Sequence, residues 1–261
     1  MKIPIYQIDA FANAPFTGNP AAVCPLQSWL PDQVMQSIAA ENNLSETAFF
    51  VPTENGFHIR WFTPVAEVDL CGHATLATAY VLFNCLGEKS DTISFESKSG
   101  VLKVVRKEEL LVLDFPAQPP VLCDMPDEIV RAFKAKPVEC LKSEDYIVVF
   151  ENEEDVVLAK PDFYEVSKLD LRGVAITAKS NKYDFVARFF GPKLGINEDP
   201  VTGSAYTQLV PYWSELLGVN KLHAKQLSKR GGELLCELVG DRVNIAGRAV
   251  KYLTGEIEIE I

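Results

Sequence analysis

Histidine is scarce in this chain of 261 residues; there are three, at positions 58, 73 and 223. So few and so scattered, they argue against a metal centre built on imidazoles. The six cysteines (Cys24, Cys71, Cys85, Cys123, Cys140 and Cys236) lie far apart and form no CxxC pair. They read as free thiols, not as a disulfide frame or a zinc site. No stretch approaches the roughly 18 apolar residues that a membrane span needs. The opening MKIPIYQIDAF is interrupted by Pro4, Gln7 and Asp9, so it lacks the apolar core of a secretion signal and the expected compartment is the cytoplasm. Basic residues are outnumbered, 25 against 36 acids, for a formal net charge of −11. Such a surface repels phosphate backbones, and nucleic acid is not expected as a partner. GxGxxG, Walker, HExxH and GxSxG patterns are all missing, and nothing calls for a cofactor.

What the chain does contain is a copy of part of itself. Arg60-Trp61-Phe62-Thr63-Pro64 matches Arg188-Phe189-Phe190-Gly191-Pro192. Each is followed by a polar loop, a glycine and a long apolar stretch. Gly72 and Gly87 frame the first stretch, Gly203 and Gly218 the second, at an offset of 131 residues. The same offset superposes Ala74 on Ala205, Leu86 on Leu217, Ser97-Lys98 on Ser228-Lys229, and Gly100 on Gly231. Fainter echoes lie upstream. Leu30-Pro31-Asp32 resembles Met125-Pro126-Asp127, and the segment from Ser45 to Val51 resembles that from Ser143 to Val149. The halves meet at Phe115-Pro116-Ala117-Gln118-Pro119-Pro120, a stiff connector. Two similar domains, 1–116 and 117–261, are therefore expected. A substrate cleft between such duplicated domains is the usual arrangement.

Residues 3–9, 21–24, 47–51, 57–62, 92–96, 101–105 and 110–114 are short, rich in Val, Ile and Phe, and bounded by turn residues, and so predict strands. Leu30, Val34 and Ile38, with Met35 and Ala39 beside them, mark one apolar helix face that starts near Pro31. The stretch 74–86 is apolar nearly all round, which predicts a buried central helix wrapped by strands. Its copy at 205–217 contains Pro211 and is expected to be kinked or shortened. The fold class is α+β, with two pseudo-symmetric β-rolls or barrels, each around a buried helix.

Both buried helices would begin at a glycine, Gly72 and Gly203. Helix N-termini carry unpaired amides and the positive end of the dipole, so they attract carboxylates and phosphates. His73 follows Gly72, and a cationic imidazole is disfavoured there, so a neutral ring is expected. Ser204 could cap its helix or bind substrate. Asp199 lies four residues before Gly203, either as a solvated turn acid or in the site. Glu46 sits at the mouth of the apolar strand Thr47–Val51. A carboxylate against apolar walls suits acid/base work near neutral pH. Glu144, at the echo position, is its rival. Cys71 stands next to a helix N-terminus, where a thiol can become reactive, but its counterpart is Thr202. A thiol facing a threonine does not make a two-base racemase, which favours a structural Cys71.

Several motifs, read together, resemble the phenazine-biosynthesis PhzF-like family. They are Asp9-Ala10-Phe11 with Phe16-Thr17-Gly18-Asn19-Pro20-Ala21-Ala22-Val23; Leu44-Ser45-Glu46-Thr47-Ala48-Phe49; Asp69-Leu70-Cys71-Gly72-His73-Ala74-Thr75; and Glu198-Asp199-Pro200-Val201-Thr202-Gly203-Ser204-Ala205. The resemblance runs from residue 5 to about 250. It implies the diaminopimelate-epimerase fold, a homodimer and no cofactor or metal. It implies that Glu46 shuttles a proton between carbons of a small substrate, bound and polarised by His73, Asp199 and Ser204 with Gly72 and Gly203. The family's best-known reaction isomerises trans-2,3-dihydro-3-hydroxyanthranilate. Two other functions stay open at this point: an amino-acid racemase or epimerase using Cys71, and a non-catalytic ligand- or partner-binding protein on an enzyme fold.

Overall fold

The computed structural model describes residues 1–260 as an α+β chain that divides into two units. The first is Met1–Asp114 together with the chain from Ala246 onward; the second is Phe115–Ile245. The seam falls in the proline-rich connector, but the expected second half, 117–261, gives up its last segment to the first unit.

The first unit runs β1 (Lys2–Ala10), β2 (Asn19–Pro25), α1 (Asp32–Asn42), β3 (Glu46–Thr53), β4 (Gly56–Phe62), β5 (Glu67–Val68), α2 (Gly72–Asn84), β6 (Thr92–Ser97), β7 (Gly100–Lys107) and β8 (Leu110–Pro116). Pro31 precedes α1 and Asn43, in the left-handed region at φ 49°, ends it. Met35, Ile38 and Ala39 form the buried stripe of α1 and share a core with Phe49 and Phe62. All of α2 except Tyr80 and Asn84 is buried. Its polar threonines return their hydroxyls to the helix: Thr75 donates to the Cys71 carbonyl at 2.6 Å and Thr78 to that of Ala74 at 2.8 Å. A buried hydroxyl without such a partner would cost about 1–3 kcal/mol.

The second unit runs β9 (Val121–Leu122), α3 (Asp127–Ala132), β10 (Glu139–Lys142), β11 (Tyr146–Val149), α4 (Glu153–Leu158), α5 (Phe163–Ser167), β12 (Val174–Lys179), β13 (Phe185–Gly191), a single 3-10 turn, β14 (Ile196–Asp199), α6 (Gly203–Leu217), β15 (Lys221–Gln226), β16 (Gly232–Val239) and β17 (Arg242–Gly247). The chain ends in β18 (Ala249–Glu258), which lies antiparallel along β1. That ladder is why the C-terminal segment belongs to the first unit.

Pro211 does not shorten α6, which runs on to Leu217. Proline lacks the N–H that would bond the carbonyl four residues back. The orphaned Thr207 carbonyl instead accepts the amide of Gln118 at 2.9 Å, and the Thr207 hydroxyl donates to the Gln118 side-chain oxygen at 2.8 Å. The helix defect thus becomes a socket for the connector.

Strand pairing carries the internal repeat further than identity does. In the first unit β1/β2 are antiparallel, β2/β3 parallel, β3/β4 antiparallel, β4/β6 parallel and β6/β7 antiparallel. In the second, β10/β11, β11/β12, β12/β13, β13/β15 and β15/β16 follow with the same senses. The short strands β5 and β14 lie antiparallel on β4 and β13, and β9 lies on β10 as β18 lies on β1.

This topology corrects the two faint sequence echoes. Helix α1 follows β2, whereas α3 precedes β10, so Leu30-Pro31-Asp32 and Met125-Pro126-Asp127 are not equivalent. Ser45–Val51 opens β3, whereas Ser143–Val149 leads into β11, the counterpart of β2. Glu144 therefore does not occupy the position of Glu46. That position belongs to Gly173: Thr47 pairs with Phe62 and Val174 with Phe190, the matched phenylalanines of the two copies, so the residue before each is equivalent. Both echoes arose from short apolar strand sequences that look alike in any register.

Candidate active site

In the first unit, three elements converge on one imidazole. His73 is the second residue of α2, Glu46 the first of β3 and Asn19 the first of β2. β2 and β3 are parallel neighbours, so their starts lie side by side, and α2 delivers His73 to them. A strained loop sets Asn19 in place. Phe11 and Phe16 have φ of 57° and 71°, Gly18 has φ of 67°, and the buried Asp9 carboxylate accepts the Phe16 amide at 2.9 Å. A Cβ on Gly18 would sit 2.1 Å from the Ala10 carbonyl oxygen, so only glycine fits.

His73 is 4% exposed. Its Nε2 lies 3.1 Å from Glu46 Oε2, an ion-pair contact not aligned as a hydrogen bond; both atoms are buried and have no other partner. Its Nδ1 lies 3.3 Å from Asn19 Nδ2 and 3.5 Å from Cys71 Sγ. With the Asn19 amino group toward Nδ1, the ring proton sits on Nε2, toward Glu46. Half a turn of the amide would present Oδ1 to a protonated Nδ1, so one asparagine can serve the neutral and the cationic ring.

Burial opposes charge on His73, but Cys71 and Glu46 on its two sides outweigh it and hold the imidazole well above its ordinary range. Burial, and after it the charge of Glu46, pushes the Cys71 thiol up to about 11. Cys71 and Glu46 thus flank the ring as the two groups that raise it. Against the expectation of a neutral ring at this helix N-terminus, Cys71 and Glu46 raise the imidazole.

Glu46, Cys71 and His73 offer one ligand atom each within 4.8 Å of one another, the spacing of a metal cluster. The imidazole, however, sets Cys71 against one nitrogen and Glu46 against the other. A single lone pair cannot face both, so the trio fits a proton-transfer chain better than one ion's ligand shell.

In the second unit, Thr202 caps α6 at the position of Cys71, and Ser204 stands at that of His73. Asp199, the last residue of β14, accepts the Thr202 hydroxyl at 2.6 Å. Buried Gln226 ties this loop down: its side-chain oxygen accepts the Thr202 amide at 3.0 Å, and its amino group donates to the Asp199 carbonyl at 2.9 Å. Asp199 is thus a fixed group, not a loose turn acid. Ser204 Oγ accepts from Arg172 Nη2 at 3.0 Å. No side chain caps α6, as none caps α2. Glu144 is an ion-pair partner of Arg172 at 3.3 Å, with its side chain 43% exposed.

Sequence reasoning missed Asn19, Gln226, Asp145 and Arg172 as members of these clusters. Asn19 was visible only inside a motif, and the other three carry no motif; only the fold brings them to a helix start.

Residues 8–255 match the family of phenazine biosynthesis-like proteins. An uncharacterised isomerase of Pseudomonas aeruginosa is 50% identical over 259 residues, covering 99% of this chain and all of that one. A crystal structure of a PhzF-family phenazine biosynthesis protein from Enterococcus faecalis superposes with a TM-score of 0.97 at 49% identity, covering 99% of this chain and all of that one. The chain belongs to the PhzF family. A hydroxyproline epimerase of Agrobacterium vitis shares the fold, with a TM-score of 0.62 at 8% identity over 98% of this chain and 92% of that one. The fold is thus the epimerase-like α+β fold that the motifs implied.

Proposed function

We propose that this PhzF-family isomerase moves a proton between carbons of a small carboxylate-bearing molecule, without a cofactor, using Glu46 as its acid/base. The observation that carries the reading is the Glu46–His73 pair. A carboxylate whose Oε2 is buried and holds no hydrogen bond stands 3.1 Å from the imidazole Nε2, which also lacks one. Buried polar atoms are nearly always satisfied in folded proteins. A facing pair of unsatisfied titratable groups is the kind of exception that acid/base sites make.

Glu46 would take the proton from one carbon and return it to another on the same face. His73, cationic beside Glu46, would hold the negative charge that develops on substrate oxygen. Asp199 and Ser204, with the amides at Gly72 and Gly203, would bind the substrate's polar groups. Two observations favour a single carboxylate over two thiols. The Cys71 thiol is held neutral, and its counterpart Thr202 is committed to Asp199. The proposal extends to a cytoplasmic homodimer, which light scattering on the purified protein checks.

The test is solvent hydrogen exchange. Wild type and Glu46→Gln are incubated in D₂O with amino- and hydroxy-substituted unsaturated acids, dihydro-hydroxyanthranilate among them, and deuterium at carbon is located by mass spectrometry and NMR. Incorporation or isomerisation that is lost in Glu46→Gln is the expected result. Incorporation that survives moves the base elsewhere. Binding with no exchange in either protein favours a ligand-binding role.

A further inference from the structure

Ser204 is held by a half-buried ion pair that no motif announces. Asp145 is fully buried, and its carboxylate takes three donors: Arg172 Nε at 2.9 Å, Arg172 Nη2 at 2.6 Å and Gln208 Nε2 at 2.7 Å. Its own amide donates to Gln208 Oε1 at 3.0 Å. Gln208 lies one turn after Ser204 on α6, so Asp145 is anchored to that helix from both ends of one amide. The Arg172 fork is thus fixed in direction, and Phe189 packs against its guanidinium.

The direction matters because each terminal guanidinium nitrogen carries two hydrogens. One hydrogen of Nη2 goes to Asp145, and the other goes to Ser204 Oγ at 3.0 Å. Ser204 Oγ therefore accepts from inside the protein, and its own hydrogen points elsewhere; among the described residues it meets no acceptor. Arg172 is neutralised by Asp145, with Glu144 alongside, so it offers an outside anion little net charge. What it fixes is the sense of a hydrogen bond.

We propose that Arg172, braced by Asp145 and Gln208, is a positioning residue that makes Ser204 a one-way hydroxyl donor to a carboxylate oxygen of the substrate, beside the free amides at the start of α6. This rests on the function proposed above, and names the group that recognises the carboxylate. A serine without this brace would rotate and could equally accept, admitting amides and alcohols. The braced serine discriminates for an oxygen that can only accept.

Benzoate, with benzamide as its neutral counterpart, probes the claim without turnover, read from backbone amide shifts in ¹⁵N-labelled protein. Benzoate is expected to shift Gly203 and Ser204 saturably, with benzamide binding at least tenfold more weakly. Ser204→Ala and the double variant Asp145→Asn/Arg172→Gln, which removes both charges of the pair together, should each weaken benzoate at least tenfold. The triple variant should be no weaker than either, because Arg172 acts through Ser204. Because benzoate binding is read without turnover, its outcome stands apart from that of the Glu46 exchange test. Benzoate affinity unchanged in Ser204→Ala, losses that multiply in the triple variant, or no shift at the start of α6 would each overturn the proposal. If the double variant fails to fold, Ser204→Ala alone decides whether the hydroxyl is the donor.

Discussion

At the start of α2, His73 Nε2 and Glu46 Oε2 face each other at 3.1 Å with no hydrogen bond of their own. At the start of α6, on the same strand plan, Asp199, Thr202, Ser204, Arg172, Asp145 and Gln208 are tied together by hydrogen bonds of 2.6–3.0 Å. The position of Glu46 is filled there by Gly173, which carries no side chain. Duplication thus supplied two equivalent helix starts, and the two diverged in kind. One keeps titratable groups unsatisfied, as proton transfer needs. The other ties its polar groups into a rigid frame, as recognition needs. A one-carboxylate reaction follows naturally from that division, since the second unit has no acid at the matching place.

The largest effect should come from removing the one acid. Glu46→Gln is expected to lower turnover by about 10²–10⁴-fold, the range for a general acid/base, with little change in melting temperature. Glu144→Gln, at the strand that matches β2 instead of β3, should cost no more than a few-fold. A comparable loss in both would show that the two halves share the chemistry and would break the contrast.

Next in size is the protonation of His73. Its titration in wild type, followed by NMR of the ring proton, should lie above the ordinary imidazole range. The stability that comes from this pair is then fully present below the unfolded value of 6.5 and is lost as pH rises through the folded one. In Glu46→Gln the supporting anion is gone, burial wins, and the titration should fall below 6.5. Cys71→Ser should lower it as well, because Cys71 is the other group that raises the ring. A titration unchanged in Cys71→Ser would leave Glu46 as the one partner that raises the ring.

Much of this was legible in the sequence. The seven expected strands of the first half all appear, because they are short, rich in Val, Ile and Phe, and bounded by turn residues. The glycine-framed helices appear because Gly87 and Gly218 sit in the left-handed region, at φ 77° and 67°, where glycine is at ease. Glu46 and His73 were legible as motif members, though their facing geometry was not. Hidden from the sequence were contacts between residues far apart in the chain. Arg172 meets Ser204 across 32 positions, Asp145 meets Gln208 across 63, and β18 returns to β1 from the far end. No local periodicity encodes such pairings, and the short apolar echoes at Ser45 and Ser143 misled because strand sequences resemble one another in any register.

Where the units agree, their stabilities should agree as well. Arg60 on β4 grips Glu67 of β5 through Nε and Nη2, both at 2.8 Å, and Arg188 on β13 grips Glu198 of β14 through the same atoms at 2.7 and 3.1 Å. Glu67→Gln and Glu198→Gln should each cost about 1–3 kcal/mol, the scale for hydrogen bonds to charged groups, read by denaturant unfolding. Glu67 adds a pH signature. Its hydrogen bond to Arg60, helped by Lys98, holds its carboxyl down to about 2 against an unfolded 4.5. Its contribution is therefore complete above pH 4.5 and fades as pH falls toward 2. Glu67→Gln should flatten the acid limb of the stability curve.

The smallest effect tests the equivalence of the helix ends. Gly87 and Gly218 both have positive φ, and a Cβ at either would meet nothing within 4 Å. Alanine at each position then pays only the backbone cost of the left-handed region, about 1–2 kcal/mol, with no steric contribution to distinguish the sites. Gly87→Ala and Gly218→Ala should therefore destabilise equally to within about 0.5 kcal/mol, and should add in the double variant. Gly18→Ala is the control, because there a Cβ would collide with backbone at 2.1 Å, and it should cost distinctly more than either. Unequal losses at Gly87 and Gly218 would show that one helix end relaxes and the other does not. The two units would then differ in rigidity as well as in chemistry, and the rigid second frame would gain an independent, measurable basis.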